Sequence, residues 1–375
     1  MAQRRLRLGM VGGGRGAFIG AVHRIASRID DRWELVAGAL SSDAERARAS
    51  AGDLGIAPDR AYSDFREMAR AEAGRADGID AVSIVTPNHM HADPAIAFLE
   101  AGIHVICDKP LAATPEQAER IAQAVAASKA RFVLTHNYTG YPLIRQAREM
   151  VERGDLGEIR LVQAEYAQDW LTESVETGGD NKQAAWRTNP EMAGAGALGD
   201  IGTHAFNLLS FVSGLKVEAL LADLQSFGAG RQVDDNGHVL LRFDGGARGM
   251  LWASQVAPGN ENGLRLRIYG TKAGIEWHQE NPNVLTYAPL GEPKRIVTRG
   301  GAGLGTGGNR WTRIPPGHPE GYLEGFATIY TDAADLILGS GDGALLPGID
   351  SGLDGMWFIG ACQRSSRAGG EWVGR

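Results

Sequence analysis

The chain has 375 residues, longer than one hydrophobic core usually grows, so two domains are expected. Apolar residues make up 43% and charged residues 22%, the balance of a packed globular protein, which excludes wholesale disorder and the fibrous classes. A net charge of −7 without a long basic or acidic block gives no footing for nucleic acid or an anionic membrane.

The only cysteines are Cys107 and Cys362, too few for a disulfide framework or a cysteine zinc site, which suits a reducing cytoplasm. The opening "MAQRRLRLGMVGGG" has an apolar run of about six residues, too short for a signal peptide or a spanning helix. Glycine is abundant, 52 residues, but follows no period, so neither a collagen-like repeat nor a solenoid is indicated.

From the start to about residue 137, short apolar strand candidates alternate with helical stretches: 6–11, 35–40, 81–86, 104–107 and 131–136. Their apolarity is continuous, which implies strands covered on both faces. Between the first two, Phe18, Ile19, Val22, Ile25, Ala26 and Ile29 recur at helical spacing. A further helix opens at "TPEQ", with Thr114 as cap, Pro115 in the first position and Gln117 completing a capping box. This pattern predicts an α/β fold with a doubly wound parallel sheet over residues 1–137.

Beyond residue 150, strand candidates follow one another with few helices: 159–170, 217–227, 238–243, 247–257, 264–270 and 274–278. Apolar and polar residues alternate here, which predicts a large, mostly antiparallel sheet with one covered face in a second domain, 138–375. "YGTKAGIEW" reads as a hairpin turned at Thr271 to Gly274. Residues 299–309, "RGGAGLGTGGN", are expected to form a mobile loop, and two helices, 321–338 and 350–366, to close the chain.

"GMVGGGRGAFIG" directly follows the first strand and opens the first helix, the setting in which a pyrophosphate approaches backbone N–H groups. Gly12 and Gly14 take the first two fingerprint places and Ala17 the third, although Gly20 fits a lengthened turn. Arg15, Phe18 and Ile19 complete the candidate loop. Where a ribose-binding acid is expected, the chain reads "GALSSDAERAR": Ser41 and Ser42 with Arg46 tilt the reading toward NADP over NAD. Asp43 either reaches the ribose or caps the next helix.

"HVICDKPLA" ends an apolar strand in Asp108, Lys109 and Pro110, at the carboxyl end where open α/β sheets bind ligands. Alone, such a lysine is most simply a solvated charge. In "ALGDIGTHAFNLL", Asp200 and His204 stand at i and i+4 on one helical face, among glycines that leave room for a ligand. The bland alternative is a capping aspartate and a satisfied buried histidine.

Together with "TPNHMHAD" (86–93), "YGTKAGIEW" and "GDIGTH" (199–204), these motifs resemble the family of glucose-fructose oxidoreductase and inositol dehydrogenase (Gfo/Idh/MocA) over essentially the whole chain. The usual Glu-Lys-Pro of that family is Asp108-Lys109-Pro110 here. The resemblance implies a Rossmann domain followed by an α/β domain whose open sheet often builds oligomers, and Lys109, Asp200 and His204 as the catalytic set. It also implies Thr86, Pro87, Asn88 and His91 beside the nicotinamide, with Asp108 and Asn137 nearby. "KQAAWRTNPEMAGAGALGD" is similar to a sugar-oxidising branch, which puts Trp186 and Arg187 toward the cofactor or substrate. "GHPEGYLEGF" puts His318 toward the substrate, with Lys109, Asn137, Asp200 and His204. His89 and His91 lack a third ligand of suitable spacing, so no metal is expected.

The activity implied is hydride transfer between NAD(P) and a secondary alcohol of a sugar, anhydrosugar or cyclic polyol, for which Asp169 adds a further polar group. In that reading His204 is the base, Asp200 orients it or grips a hydroxyl, and Lys109 stabilises an alkoxide or shares in proton relay. Two rivals stand: an enzyme that cycles a tightly bound NAD(P), and a non-catalytic NAD(P)-binding sensor. A cytoplasmic homodimer or homotetramer is expected.

Overall fold

The structure, a computed structural model, describes residues 4–176 and 182–375. Two compact units emerge: the chain up to Asn137 with Phe326–Met356, and Tyr138–Gly325 with Trp357–Arg375. The first holds β1 (Leu6–Gly12), α1 (Phe18–Ile29), β2 (Trp33–Ala39), α2 (Ala44–Asp53), β3 (Ala61–Tyr62) and α3 (Phe65–Ala73). It continues with β4 (Ala81–Val85), α4 (Ala92–Glu100), β5 (His104–Cys107), α5 (Pro115–Ala127) and β6 (Phe132–Leu134).

Among the described residues its six strands pair in parallel in the order β3-β2-β1-β4-β5-β6. Helices cover both faces, so Leu6, Leu8, Met10, Val82, Ile84 and Val105 are wholly buried, as continuous apolarity predicts. The order reverses between β1 and β4, and a ligand crevice opens at the carboxyl ends of such strands. Local chemistry sets the helix starts. Thr114 Oγ1 accepts from Gln117 N at 3.3 Å, and Asp43 Oδ1 accepts from Arg46 N at 2.7 Å.

The second unit begins with α6 (Pro142–Glu152), β7 (Ile159–Ala167), α7 (Lys182–Arg187), α8 (Pro190–Ala193), and a wide π-type turn, Leu198–Gly202, that runs into α9 (Thr203–Ser213). There follow β8 (Val217–Gln225), β9 (Asn236–Phe243), β10 (Arg248–Ser254), β11 (Gly263–Gly270), β12 (Ala273–His278), β13 (Val284–Pro289), β14 (Arg295–Thr298) and α10 (Thr306–Asn309). The chain closes with α11 (Tyr322–Leu338), α12 (Ile349–Arg367) and β15 (Val373–Gly374).

Among the described residues this sheet has nine strands in the order β14-β13-β12-β11-β7-β10-β9-β8-β15, all antiparallel except β7 against β10. One face is covered: along β9, Val239, Leu241 and Phe243 are buried while Leu240 is 50% exposed. Helix α9 packs on β7, β10 and β11. The hairpin turn lies at Thr271–Lys272, between β11 and β12.

The expectation of a mobile loop at 299–309 is corrected. Arg299 is 2% exposed, with Nη1 on Glu320 Oε1 and the Ile314 carbonyl, both at 2.8 Å. Gly305 N donates to Gln146 Oε1 at 2.7 Å and Gly307 N to Glu149 Oε2 at 2.6 Å, which fastens the segment to α6 and lets α10 form.

The excursion Phe326–Met356 belongs with the parallel sheet, a return that a single division at residue 137 does not contain. Polar anchors account for it: Trp33 Nε1 donates to the Tyr330 carbonyl at 2.9 Å, Leu134 N to the Pro347 carbonyl at 2.9 Å, and Arg32 pairs with Asp335 at 2.7 Å.

Candidate functional site

In the first unit the β1–α1 turn is shaped by close approaches. Gly12 holds a φ of +79°, and a Cβ there would lie 2.9 Å from Thr86 Cγ2. At Gly14 a Cβ would lie 2.6 Å from the Leu40 carbonyl oxygen. Close packing of helix on loop falls to Gly20 rather than Ala17, since a Cβ on Gly20 would lie 2.4 Å from Gly13 Cα. Helix α1 starts after Ala17 with no side-chain cap and no acidic residue in its first turn among the described residues. Its first N–H groups therefore point at whatever anion the turn receives, so the loop fits a dinucleotide diphosphate. Arg15 flanks the turn in an exposed pair with Asp53, Phe18 is 65% exposed, and Ile19 packs on the cluster of Met10, Leu40 and Val85.

At the end of β2, Asp43 spends its carboxylate on the α2 cap, while Ser41 Oγ accepts from Asp43 N at 3.2 Å. Ser42 and Arg46 are exposed in the same turn.

Past β4, Thr86 Oγ1 donates to the Met90 carbonyl at 3.0 Å, which closes the turn that carries Pro87 and the buried Asn88. His91 is wholly buried, with Nδ1 2.8 Å from the Pro110 carbonyl oxygen and Nε2 2.9 Å from that of Thr86. It thereby ties this turn to the one that carries Lys109. Asp108 Oδ1 accepts from Lys109 N at 2.9 Å and from Thr135 Oγ1 at 2.8 Å. His23 Nε2 lies 4.0 Å from the same oxygen, and His23 Nδ1 is 2.8 Å from the Tyr330 hydroxyl. His136 is buried beside the Lys109 ammonium, and burial first, then that charge, pushes its imidazole down to about 3. Asn137 is buried next to it in sequence.

In the second unit Asp200 sits in the π-type turn and His204 in the first turn of α9. A turn of this kind widens the helix and recurs at functional sites. Asp200 Oδ2 accepts from Gln255 Nε2 at 2.9 Å and from Arg187 Nε at 3.2 Å. The Arg187 guanidinium also lies over the Trp186 ring, 4.5 Å from its centroid. The structure thus brings Arg187 to Asp200. His204 is 8% exposed and faces Tyr138 edge-on, ring centroids 4.8 Å apart. Asp169 Oδ2 accepts from Gly259 N at 3.2 Å, and His318 is exposed on the segment that Arg299 anchors through backbone carbonyls.

Comparison with known proteins supplies the lineage. Residues 6–138 match the model of the oxidoreductase family with an NAD-binding Rossmann fold, and residues 144–276 match the GFO/IDH/MocA C-terminal domain. The chain belongs to the Gfo/Idh/MocA oxidoreductase family. An oxidoreductase of Bacillus subtilis, YfiI, described as uncharacterized, is 38% identical over 382 residues, 98% of this chain and 96% of the relative. A crystal structure of an oxidoreductase from Sinorhizobium meliloti is 58% identical, with TM-score 0.91 over 99% of this chain and 100% of that one. An inositol dehydrogenase homolog from Azotobacter vinelandii, complexed with NADH and myo-inositol, is 38% identical, with TM-score 0.91 over 100% and 98%.

Within this Gfo/Idh/MocA member several polar residues escape a reading of motifs: Tyr138, Tyr166, Gln168, Gln255 and Asn262 cluster around the Asp200–His204 turn, and His136 adjoins Lys109. Their signal was slight. Gln168 and Gln255 stand just past the ends of β7 and β10, and polar residues at paired strand ends are the one hint that sequence offers.

Proposed function

We propose that this NAD(P)-dependent oxidoreductase transfers hydride between the nicotinamide and a secondary alcohol of a sugar, anhydrosugar or cyclic polyol. The observation that carries the reading is the Asp200 carboxylate fixed between Arg187 and Gln255, one helical turn from His204. A carboxylate held in an ion pair serves as a hydroxyl acceptor, which leaves proton removal to the imidazole, whose ring nitrogen can accept the hydroxyl proton. Amide, phenol and indole groups around Asp200 suit an uncharged substrate with many hydroxyls.

When bound, the nicotinamide supplies the hydride acceptor, which is the redox chemistry the side chains lack. The turn from Gly12 to Ile19, including Gly14, Arg15, Ala17 and Phe18, would hold the diphosphate. Ser41, Ser42 and Arg46 would meet a 2′-phosphate, so NADP is preferred, since Asp43 is engaged in its cap. Thr86, Pro87, Asn88, Asp108, Asn137, Trp186 and Arg187 complete the cofactor set, with His91 acting through its two carbonyls. His204 takes the hydroxyl proton, Lys109 stabilises the alkoxide, Asp200 grips a hydroxyl, and Asn137 and His318 add substrate contacts. The protein works as a cytoplasmic homodimer or homotetramer.

The test is a screen of polyols, sugars and anhydrosugars with NAD and NADP in parallel, read at the nicotinamide absorbance. Net accumulation of reduced nicotinamide is expected with at least one cyclic polyol or sugar. Lys109→Ala and His204→Ala should each lower kcat about 100-fold or more with dinucleotide binding kept. Product without net reduction would point to a cycling enzyme, and intact dinucleotide binding without turnover to a sensor.

A further inference from the structure

Behind Asp200 and His204 lies a second tier of polar side chains to which the proposed chemistry assigns no proton or hydride transfer. The Tyr166 hydroxyl donates to Asn262 Oδ1 at 2.8 Å. The proton shared between the Tyr138 and Tyr166 hydroxyls, 2.5 Å apart, therefore comes from Tyr138. Asn262 Nδ2 lies 3.5 Å from the Tyr138 hydroxyl oxygen, which closes a ring in which every donor runs the same way.

Asn262 Oδ1 also accepts from Gln168 Nε2 at 2.8 Å. Gln255 Nε2 then donates both to Gln168 Oε1 at 3.3 Å and to Asp200 Oδ2 at 2.9 Å. One amide thus joins two arms. The first ends on the tyrosine that walls His204, and the second ends on the Asp200 carboxylate.

The placement of these groups makes the junction stiff. Tyr166 belongs to β7, Gln168 follows it, Gln255 follows β10 and Asn262 precedes β11, and these three strands are neighbours in the sheet. Gln255 is held at both backbone groups, its N on the Asp235 carbonyl at 2.8 Å and its carbonyl on Leu171 N at 3.0 Å. A carboxylate and an imidazole on one helix share a face, yet their angle to a substrate follows every movement of that helix. Tying both to one end of a sheet removes that freedom, and neutral amides and phenols do so without adding charge beside the base.

Resting on the reading of Asp200 and His204 above, we propose that Asn262 is a positioning residue: its side-chain amide couples the tyrosine wall of His204 to the Asp200 carboxylate and holds the pair in register. The test uses full-length Asn262→Leu and Tyr166→Phe, the second being isosteric and removing a single hydroxyl. Asn262→Leu should lower kcat about 10- to 100-fold, and Tyr166→Phe roughly tenfold, with the dinucleotide dissociation constant within about twofold of native. In both variants the ring ¹⁵N resonances of His204 should shift or broaden, while those of His23, in the first unit, stay native. Native kcat together with native His204 resonances in both variants overturns the proposal. If Asn262→Leu also moves His23, its effect is one of folding and Tyr166→Phe decides. A native protein without turnover refutes the oxidoreductase reading alone, because the resonances read His204 directly.

Discussion

His136 shows how a single side chain is governed by its surroundings. Removal from water disfavours the imidazolium and the Lys109 ammonium repels it, so the ring titrates at about 3 rather than near 6.5. Burial pushes His23 and His91 in the same direction. A histidine with a depressed folded value takes up its proton more readily when unfolded, so stability is complete above about 6.5 and declines as pH falls toward 3. Each such ring adds about 1.4 kcal/mol of stability loss per pH unit within its window. Melting followed by circular dichroism from neutral to acid should show a steep loss for the native chain and a shallower one for His136→Gln. Equal acid slopes for the two proteins would refute the assignment.

Among elements, the segment from Arg299 to Glu320 behaves unlike its composition. Arg299 and Glu320 form a pair 2.8 Å apart with side chains 2% and 1% exposed, and Glu320 Oε1 also accepts from Arg313 N at 2.7 Å and Ile314 N at 3.0 Å. Removing one partner of a buried pair strands the other charge, so Arg299→Met should destabilise by about 3 kcal/mol or more, measured by chemical denaturation. The parallel strands and the capped helices were legible because their causes are local: continuous apolar runs, and Thr114 or Asp43 standing just before a helical stripe. The anchoring of 299–309 was not, because its partners Gln146 and Glu149 lie 159 and 158 positions upstream and leave no periodicity behind. Strands β3, β13 and β14 escaped as well: β3 is two residues long, and β13 and β14, at the edge of their sheet, are mostly half-buried or exposed and so carry little apolar signal. Of the residues proposed for the chemistry, Lys109, Asp200 and His204 stood out by motif, whereas Gln255 and Asn262 make hydrogen bonds to residues 55 and 94 positions away, which no spacing rule encodes.

For the whole molecule, the decisive fact is that neither unit is a continuous stretch of chain. The parallel sheet is completed by Phe326–Met356, which supplies the carbonyls for Trp33 and Leu134, the Asp335 partner of Arg32, and Gly352 packed against Leu111. Residues up to 137 expressed alone should lack a cooperative melt and bind a hydrophobic dye. The same stretch joined by a flexible linker to residues 326–356 should melt cooperatively and bind dinucleotide. Cooperative folding of the shorter piece would refute this dependence.

The peptide crosses from one unit to the other at three places: after Asn137, within α11 and within α12. A protease that nicks the first junction would sever residues 1–137 from the rest of the chain, and only noncovalent packing against Phe326–Met356 would then keep the parallel sheet together. By the same logic, a single splice cannot hand the nucleotide-facing half to a new partner as a cassette, because its chain comes in two separate pieces.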